Sequence, residues 1–141
     1  MAIGVDTTWL VQVAVREHEG HAAARERLQH IAASGETLAL APQVLNEFVR
    51  VITDGSRFQR PLSVIEAIDL VEEWWNAQQV RQVFPTAEST RLAWQWMRQF
   101  RLGRKRILDA HLAATFHAAG INRVLTTNAR DYRVFECFEL L

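Results

Sequence analysis

Among the chain's sixteen acidic residues, four stand apart by what surrounds them. Asp6 comes directly behind the apolar run Ala2-Ile3-Gly4-Val5 and ahead of Thr7-Thr8. Glu47 interrupts an apolar helical face formed by Val44, Leu45 and Phe48. Asp109 lies between Leu108 and Ala110, at the head of a small-residue stretch, and Asp131 falls in "TTNARDY". Most of the other acids belong to strongly polar faces, where water solvates them. Carboxylates gathered at one place repel each other, raise each other's pKa and weaken the fold unless a cation joins them. The natural cation is Mg2+, with Mn2+ as a substitute, because a hard ion prefers carboxylate and water oxygens. Such a centre suits phosphodiester hydrolysis: the metal activates water and neutralises charge in the transition state. The five histidines show no nucleophile or zinc arrangement, and His111 and His117 read as helix-surface or packing residues.

The elements that must position these acids alternate between strand and helix. Residues 2–5 form a short buried strand, and Thr7-Thr8 open a helix, which puts Asp6 at the strand's carboxyl end. As a helix cap, Asp6 would need only an acceptor oxygen; as a ligand it would need its charge. A helix over His21–Ala33 stops at Ser34-Gly35, and "TLALA", 37–41, is a second strand. Pro42 opens the helix that carries Glu47. Ser63 caps a helix through Trp75, "VRQVF" (80–84) is a third strand, and Thr86 starts a helix to about Phe100. Gly103 breaks the chain before "ILDAHLAATFHAAG", 107–120, a helix with Gly120 as its carboxyl cap. "RVLTT" (123–127) and "CFELL" (137–141) complete about five strands. Strands separated by helices imply crossover connections, hence a three-layer α/β/α sandwich around a mainly parallel sheet. Asp6, Asp109 and Asp131 then all follow strands or open helices at one sheet edge, where open α/β sheets bind ligands.

The 141 residues, 49% of them hydrophobic and 23% charged, fit one globular unit over 1–141 without repeats or linkers. Charged residues interrupt every apolar stretch before membrane-spanning length, and the N-terminus lacks a basic region leading into an apolar core. A single cysteine, Cys137, makes no internal disulfide, so a reducing cytoplasm is the expected location. Formal net charge is zero, which excludes bulk electrostatic coating of nucleic acid. The average conceals a cluster: Arg98, Arg101, Arg104, Lys105 and Arg106 occupy one segment without an acid among them. Such a cluster reads either as a solvated helix end favoured by the dipole or as a phosphate contact. Arginine outnumbers lysine fifteen to one, and its fork suits phosphate oxygens, which tilts the segment, with Arg104 and Lys105 in it, toward phosphate contact. Trp74, Trp75, Trp94 and Trp96 read as core or dimer interface, with base stacking as the alternative for one of them.

The segments "VDTTWL", "VLNEFVRVIT", "ILDAHLAAT" and "VLTTNARDYRVF", in this order and spacing, resemble the signature segments of the PIN domain, specifically of VapC-type ribonuclease toxins from bacterial toxin–antitoxin pairs. The resemblance spans nearly the whole chain. It implies a Mg2+- or Mn2+-dependent endoribonuclease in which Asp6, Glu47, Asp109 and Asp131 form the acidic quartet. Asp6 and Asp109 would be the central metal ligands, with Glu47 and Asp131 completing or orienting the shell. It also implies a homodimer and a cognate antitoxin whose tail enters the active-site groove. The family often has Asn where Thr8 stands; a hydroxyl there still reaches a phosphate or a metal-bound water. Asn128 and Asp131 both match the variable final segment, and only Asp131 brings charge.

Two rival readings share the opening motif. A haloacid-dehalogenase-type phosphatase needs a second aspartate two positions after the first as general acid, and Thr8 cannot serve. A non-catalytic RNA-binding or regulatory module on the same fold has no need of four acids that repel each other.

Overall fold

The computed structural model describes residues 1–141. Five strands are present: β1 (Ala2–Val5), β2 (Thr37–Leu40), β3 (Val80–Gln82), β4 (Arg123–Leu125) and β5 (Glu139–Leu140). They form a single sheet in the order β3-β2-β1-β4-β5, every pair parallel. The helices are α1 (Thr7–Ala14), α2 (His21–Ser34), α3 (Pro42–Ile52), α4 (Val64–Trp75), α5 (Ala87–Gln99), α6 (Ile107–Ala118) and the four-residue α7 (Arg130–Arg133). A 3₁₀ turn, Arg104–Arg106, leads into α6.

From β1 the chain winds outward through β2 to β3, then returns to lay β4 and β5 on the other side of β1. The winding direction therefore reverses between β1 and β4, and beyond their carboxyl ends a crevice opens. The sheet is covered on both faces. Ile3 and Val5 are fully buried on one, while on the other Gly4 meets the ring of Phe116 from α6. Helix α1 packs on α2 and α3, α3 on α4, and α5 on α6.

Local chemistry explains the boundaries. Pro42 occupies the first turn of α3, where its missing N–H costs nothing. Ser63 and Thr86 each close a capping box, Ser63 with Glu66 and Thr86 with Ser89. Gly120, at φ 77°, takes the left-handed conformation just past α6. The strands are shorter than their apolar patterns suggest: Ala41, Val83-Phe84 and Thr126-Thr127 follow their strands, and Cys137-Phe138 precede β5. Helix α7 interrupts what reads in sequence as a tail between strands, because its four residues are too few to carry an apolar stripe.

Of the tryptophans, Trp96 is buried and stacks on Phe135 at 4.5 Å between ring centroids. Trp74 packs on Phe48 at 5.0 Å and Trp75 on Phe84 at 5.5 Å. Trp94 stays half exposed beside His111, so the core reading fails for it.

Gly4 lets α6, the carrier of Asp109, lie flat on the central strand. A Cβ there would stand 3.1 Å from three atoms of the Phe116 ring, which is fully buried and has nowhere to retreat. Gly4→Ala is expected to cost about 1–3 kcal/mol by overpacking. Urea denaturation measures this, and pairing the change with Phe116→Leu should return part of the loss.

Candidate active site

The crevice at the β1–β4 switch point is built on Asp6. Its backbone N–H donates to Leu125 O at 3.0 Å, extending the strand pairing by one residue. Its extended backbone, φ −89° and ψ 156°, places it as the amino cap of α1. One carboxylate oxygen, Oδ1, accepts from the Thr7 N–H at 2.8 Å. The other, Oδ2, accepts from the Thr126 hydroxyl at 2.8 Å, and Thr126 Oγ1 in turn accepts from the Asn128 N–H at 2.9 Å. Asp6 thus caps a helix and also ties β1 to the loop after β4. Asn128 enters this network through its backbone.

Glu47 reaches the same crevice from α3, where the Thr7 hydroxyl lies 3.2 Å from its Oε2 and 3.3 Å from Val44 O. Asp109 sits in the first turn of α6, a position that the helix dipole favours for a negative charge. Asp6, Glu47 and Asp109 all line one cavity of about 340 Å³, together with Gln43, Arg50 and His111. Asp131 lies in the first turn of α7 and does not line that cavity.

Burial and charge act together on these groups. Burial pushes the Asp6 carboxyl above the usual carboxylate range; the Thr126 and Thr7 hydrogen bonds oppose that push, and the charges of Glu47 and Asp109 add to it. Burial likewise raises Asp109, reinforced by the Asp131 charge and opposed by Arg106. The buried Tyr132 hydroxyl is held well above its ordinary value by burial and then by Asp6, Asp109 and Asp131. Asp6, Glu47 and Asp109 are therefore near enough to feel one another, and Asp131 is near enough to act on Asp109.

The basic segment divides in a way its sequence does not show. Arg104 and Lys105 are exposed. Arg106 turns inward: its Nε donates to Asp109 Oδ2 at 3.1 Å, and its Nη2 donates to the Asp131 backbone carbonyl at 2.6 Å. One guanidinium thereby joins α6 to α7 and balances the charge of Asp109. Thr8 lies at the rim, its hydroxyl oxygen accepting from the Thr127 N–H at 3.4 Å. His111 is part of the cavity wall, and His117 packs against Trp96 at 5.6 Å.

No three of the acids and histidines close on a common point. In kind, the donor set still fits a hard dication. Every charged group facing the cavity from β1, α3 and α6, Arg50 excepted, is a carboxylate. In the same wall Gln43 Oε1 is buried without a hydrogen-bond donor, an acceptor suited to the water that such an ion carries. Sequence reading missed Gln43, Tyr132, Thr126 and the inward turn of Arg106. For Gln43 the available signal was its place one helical turn before Glu47.

A parallel five-stranded sheet with acids at its switch point defines a class of α/β protein. Residues 3–135 match the PIN domain family, and the chain belongs to it. Among solved structures, it is similar to the Mycobacterium tuberculosis toxin VapC20, described as cleaving the sarcin–ricin loop. That match has 20% identity and a TM-score of 0.65 and covers 86% of each chain. It is also similar to VapBC2 from Rickettsia felis, solved with a promoter DNA fragment, at 14% identity and TM-score 0.70, over 100% of this chain and 98% of that one. DNA-bound VapBC from Salmonella typhimurium matches at 14% identity and TM-score 0.69, over 100% of this chain and 97% of that one. No curated protein sequence matches the chain. No helix is long and apolar enough to cross a membrane.

The raised pKa of Asp6 fixes the sign of a pH effect. Because the folded value lies above the ordinary 3.8, the folded state holds the proton more tightly than the unfolded chain. The Asp6 contribution to stability is therefore greatest below the ordinary value and declines as pH rises through the folded one. Asp6→Asn should remove that decline. In chelator, the variant should gain on wild type as pH is raised from about 4 towards neutrality. Thermal melts across that range check this, and a variant that loses ground at neutral pH contradicts it.

Proposed function

We propose that this chain is a metal-dependent endoribonuclease, a toxin of the VapC type that a cognate antitoxin holds inactive. The observation that carries this reading is the convergence of Asp6, Glu47 and Asp109 on one cavity in a PIN domain. Similarity to VapC20 and to VapBC assemblies supports the RNA substrate and the antitoxin partner. A homodimer belongs to the same proposal.

In this reading Asp6 and Asp109 hold a divalent cation, Mg2+ or Mn2+. When bound, the ion supplies an activated water and balances the charge that builds on the phosphate. Glu47 orients that water from α3, and the Thr7 hydroxyl fixes the carboxylate that does so. Asp131 and Asn128 complete the site from beyond the cavity wall. Arg106 keeps Asp109 and α7 in register, while Arg104 and Lys105 receive the RNA backbone outside the cavity. Thr8 orients a water or a phosphate from the rim.

A second reading, a non-catalytic RNA-binding module, draws on one observation: Asp109 already has a cationic partner in Arg106, at 3.1 Å. Incubation with RNA separates the two. Purified protein with Mg2+ or Mn2+ should cleave single-stranded or looped RNA, stop in chelator and need no zinc. Asp109→Asn should lower turnover at least about a hundredfold, and Thr8→Val about tenfold with little change in metal-induced stabilisation. RNA binding without cleavage in either metal would favour the module.

A further inference from the structure

The acidic cavity is not the end of the groove. Glu47 and Arg50 line it on one side and, on their other side, line a second cavity of about 370 Å³. There the charge is inverted: Arg50 and Arg57 face a single acid, Glu47, with His18, Thr8, Thr127 and Phe58 also in the wall. Phe58 is shared in turn with a third cavity, of about 550 Å³, which adds Arg16 and Arg60 against Glu17.

These cations are lightly committed. Arg57 Nε stands 3.7 Å from Asp54 Oδ2, and Arg50 Nη2 stands 4.0 Å from Glu47 Oε1. Both arginine side chains are more than half exposed, so these pairs hold them weakly and leave most of their N–H groups free. The His18 ring accepts from the Gly20 N–H at Nδ1, 3.0 Å away, which leaves Nε2 as the donor nitrogen. Thr8 accepts from Thr127 and keeps its own O–H to give. A pocket of free forks and hydroxyl donors that abuts an acidic cavity has the chemistry of a phosphodiester seat.

We propose that the second cavity is a nucleotide subsite for the RNA strand. It binds a phosphate adjacent to the scissile one through Arg50 and Arg57, with the Phe58 ring against the sugar or base. The strand then crosses the acidic cavity between two cationic flanks, Arg50 and Arg57 on one side and Arg104 and Lys105 on the other. This inference rests on the reading of the acidic cavity as a nuclease centre.

The test is binding of a fluorescent single-stranded octanucleotide, and of a dinucleotide of the same sequence, in chelator over a range of salt concentrations. Arg57→Gln should weaken octanucleotide binding about tenfold at low salt and reduce the slope of log affinity against log salt by about 0.7. Dinucleotide affinity should fall as well, because without metal its single phosphate can sit only at a cationic seat, while the manganese-induced rise in melting temperature should stay at its wild-type value. Arg57→Lys, which keeps the charge, should restore the slope. If wild type cleaves RNA but Arg57→Gln keeps the wild-type slope, the subsite is wrong and the nuclease reading stands. If wild type neither binds nor cleaves RNA, the nuclease reading fails and the subsite falls with it.

Discussion

A half-buried carboxylate at the carboxyl end of the central strand is the constraint around which the crevice is organised. Asp6 must be desolvated to sit there, and it is kept by donors from two directions, the Thr7 N–H of α1 and the Thr126 hydroxyl after β4. Those bonds make three things into one construction: the start of α1, the pairing of β1 with β4, and the shape of the crevice. The parallel topology supplies the location, since β1 is where the winding of the sheet reverses. Gly4, two residues earlier, supplies the clearance that brings α6 and Asp109 down onto the same strand.

The second consequence of that carboxylate is electrostatic. Glu47 and Asp109 approach it from two different helices, Asp131 adds its charge beside Asp109, and each approach raises the cost of keeping these groups charged. The fold offsets part of this from its own resources. Arg106 lends its charge to Asp109 and its second donor to the Asp131 carbonyl. The acids are therefore arranged by a protein cation and by hydroxyl and amide donors, in a cavity whose wall still holds an unmatched acceptor in Gln43. Positive charge also lines the neighbouring space, through Arg57 and through Arg50, which the two cavities share, and lies on the exposed Arg104 and Lys105. That polarity, anionic within and cationic at the flanks, suits a chain of phosphates that must pass over a centre it would otherwise avoid.

Much of this was legible in the sequence because the signals are local. The apolar run before Asp6, the proline in the first turn of the Glu47 helix, the caps at Ser63 and Thr86 and the glycine after α6 each act within a few residues, and each stands where its chemistry puts it. What escaped is non-local. Arg106 reads as one of five similar cations, and its partner carbonyl lies 25 residues away. Thr7 meets Glu47 across 40 positions, and Thr126 meets Asp6 across 120. Helix α7 escaped for a different reason: four residues, three of them charged, offer no periodicity to read. Trp94 lies outside the core because its position on α5 faces outward beside His111, which helical spacing alone does not reveal.

The central claim, that these acids form a cation site, is tested most directly by a crystal grown with Mn2+ and measured for anomalous scattering. The account predicts a manganese peak between Asp6 and Asp109, about 2.1 Å from an oxygen of each, the spacing expected of a hard octahedral ion. A crystal with no peak there, in which Thr7 and Thr126 still occupy Asp6 and Arg106 still occupies Asp109, would contradict it.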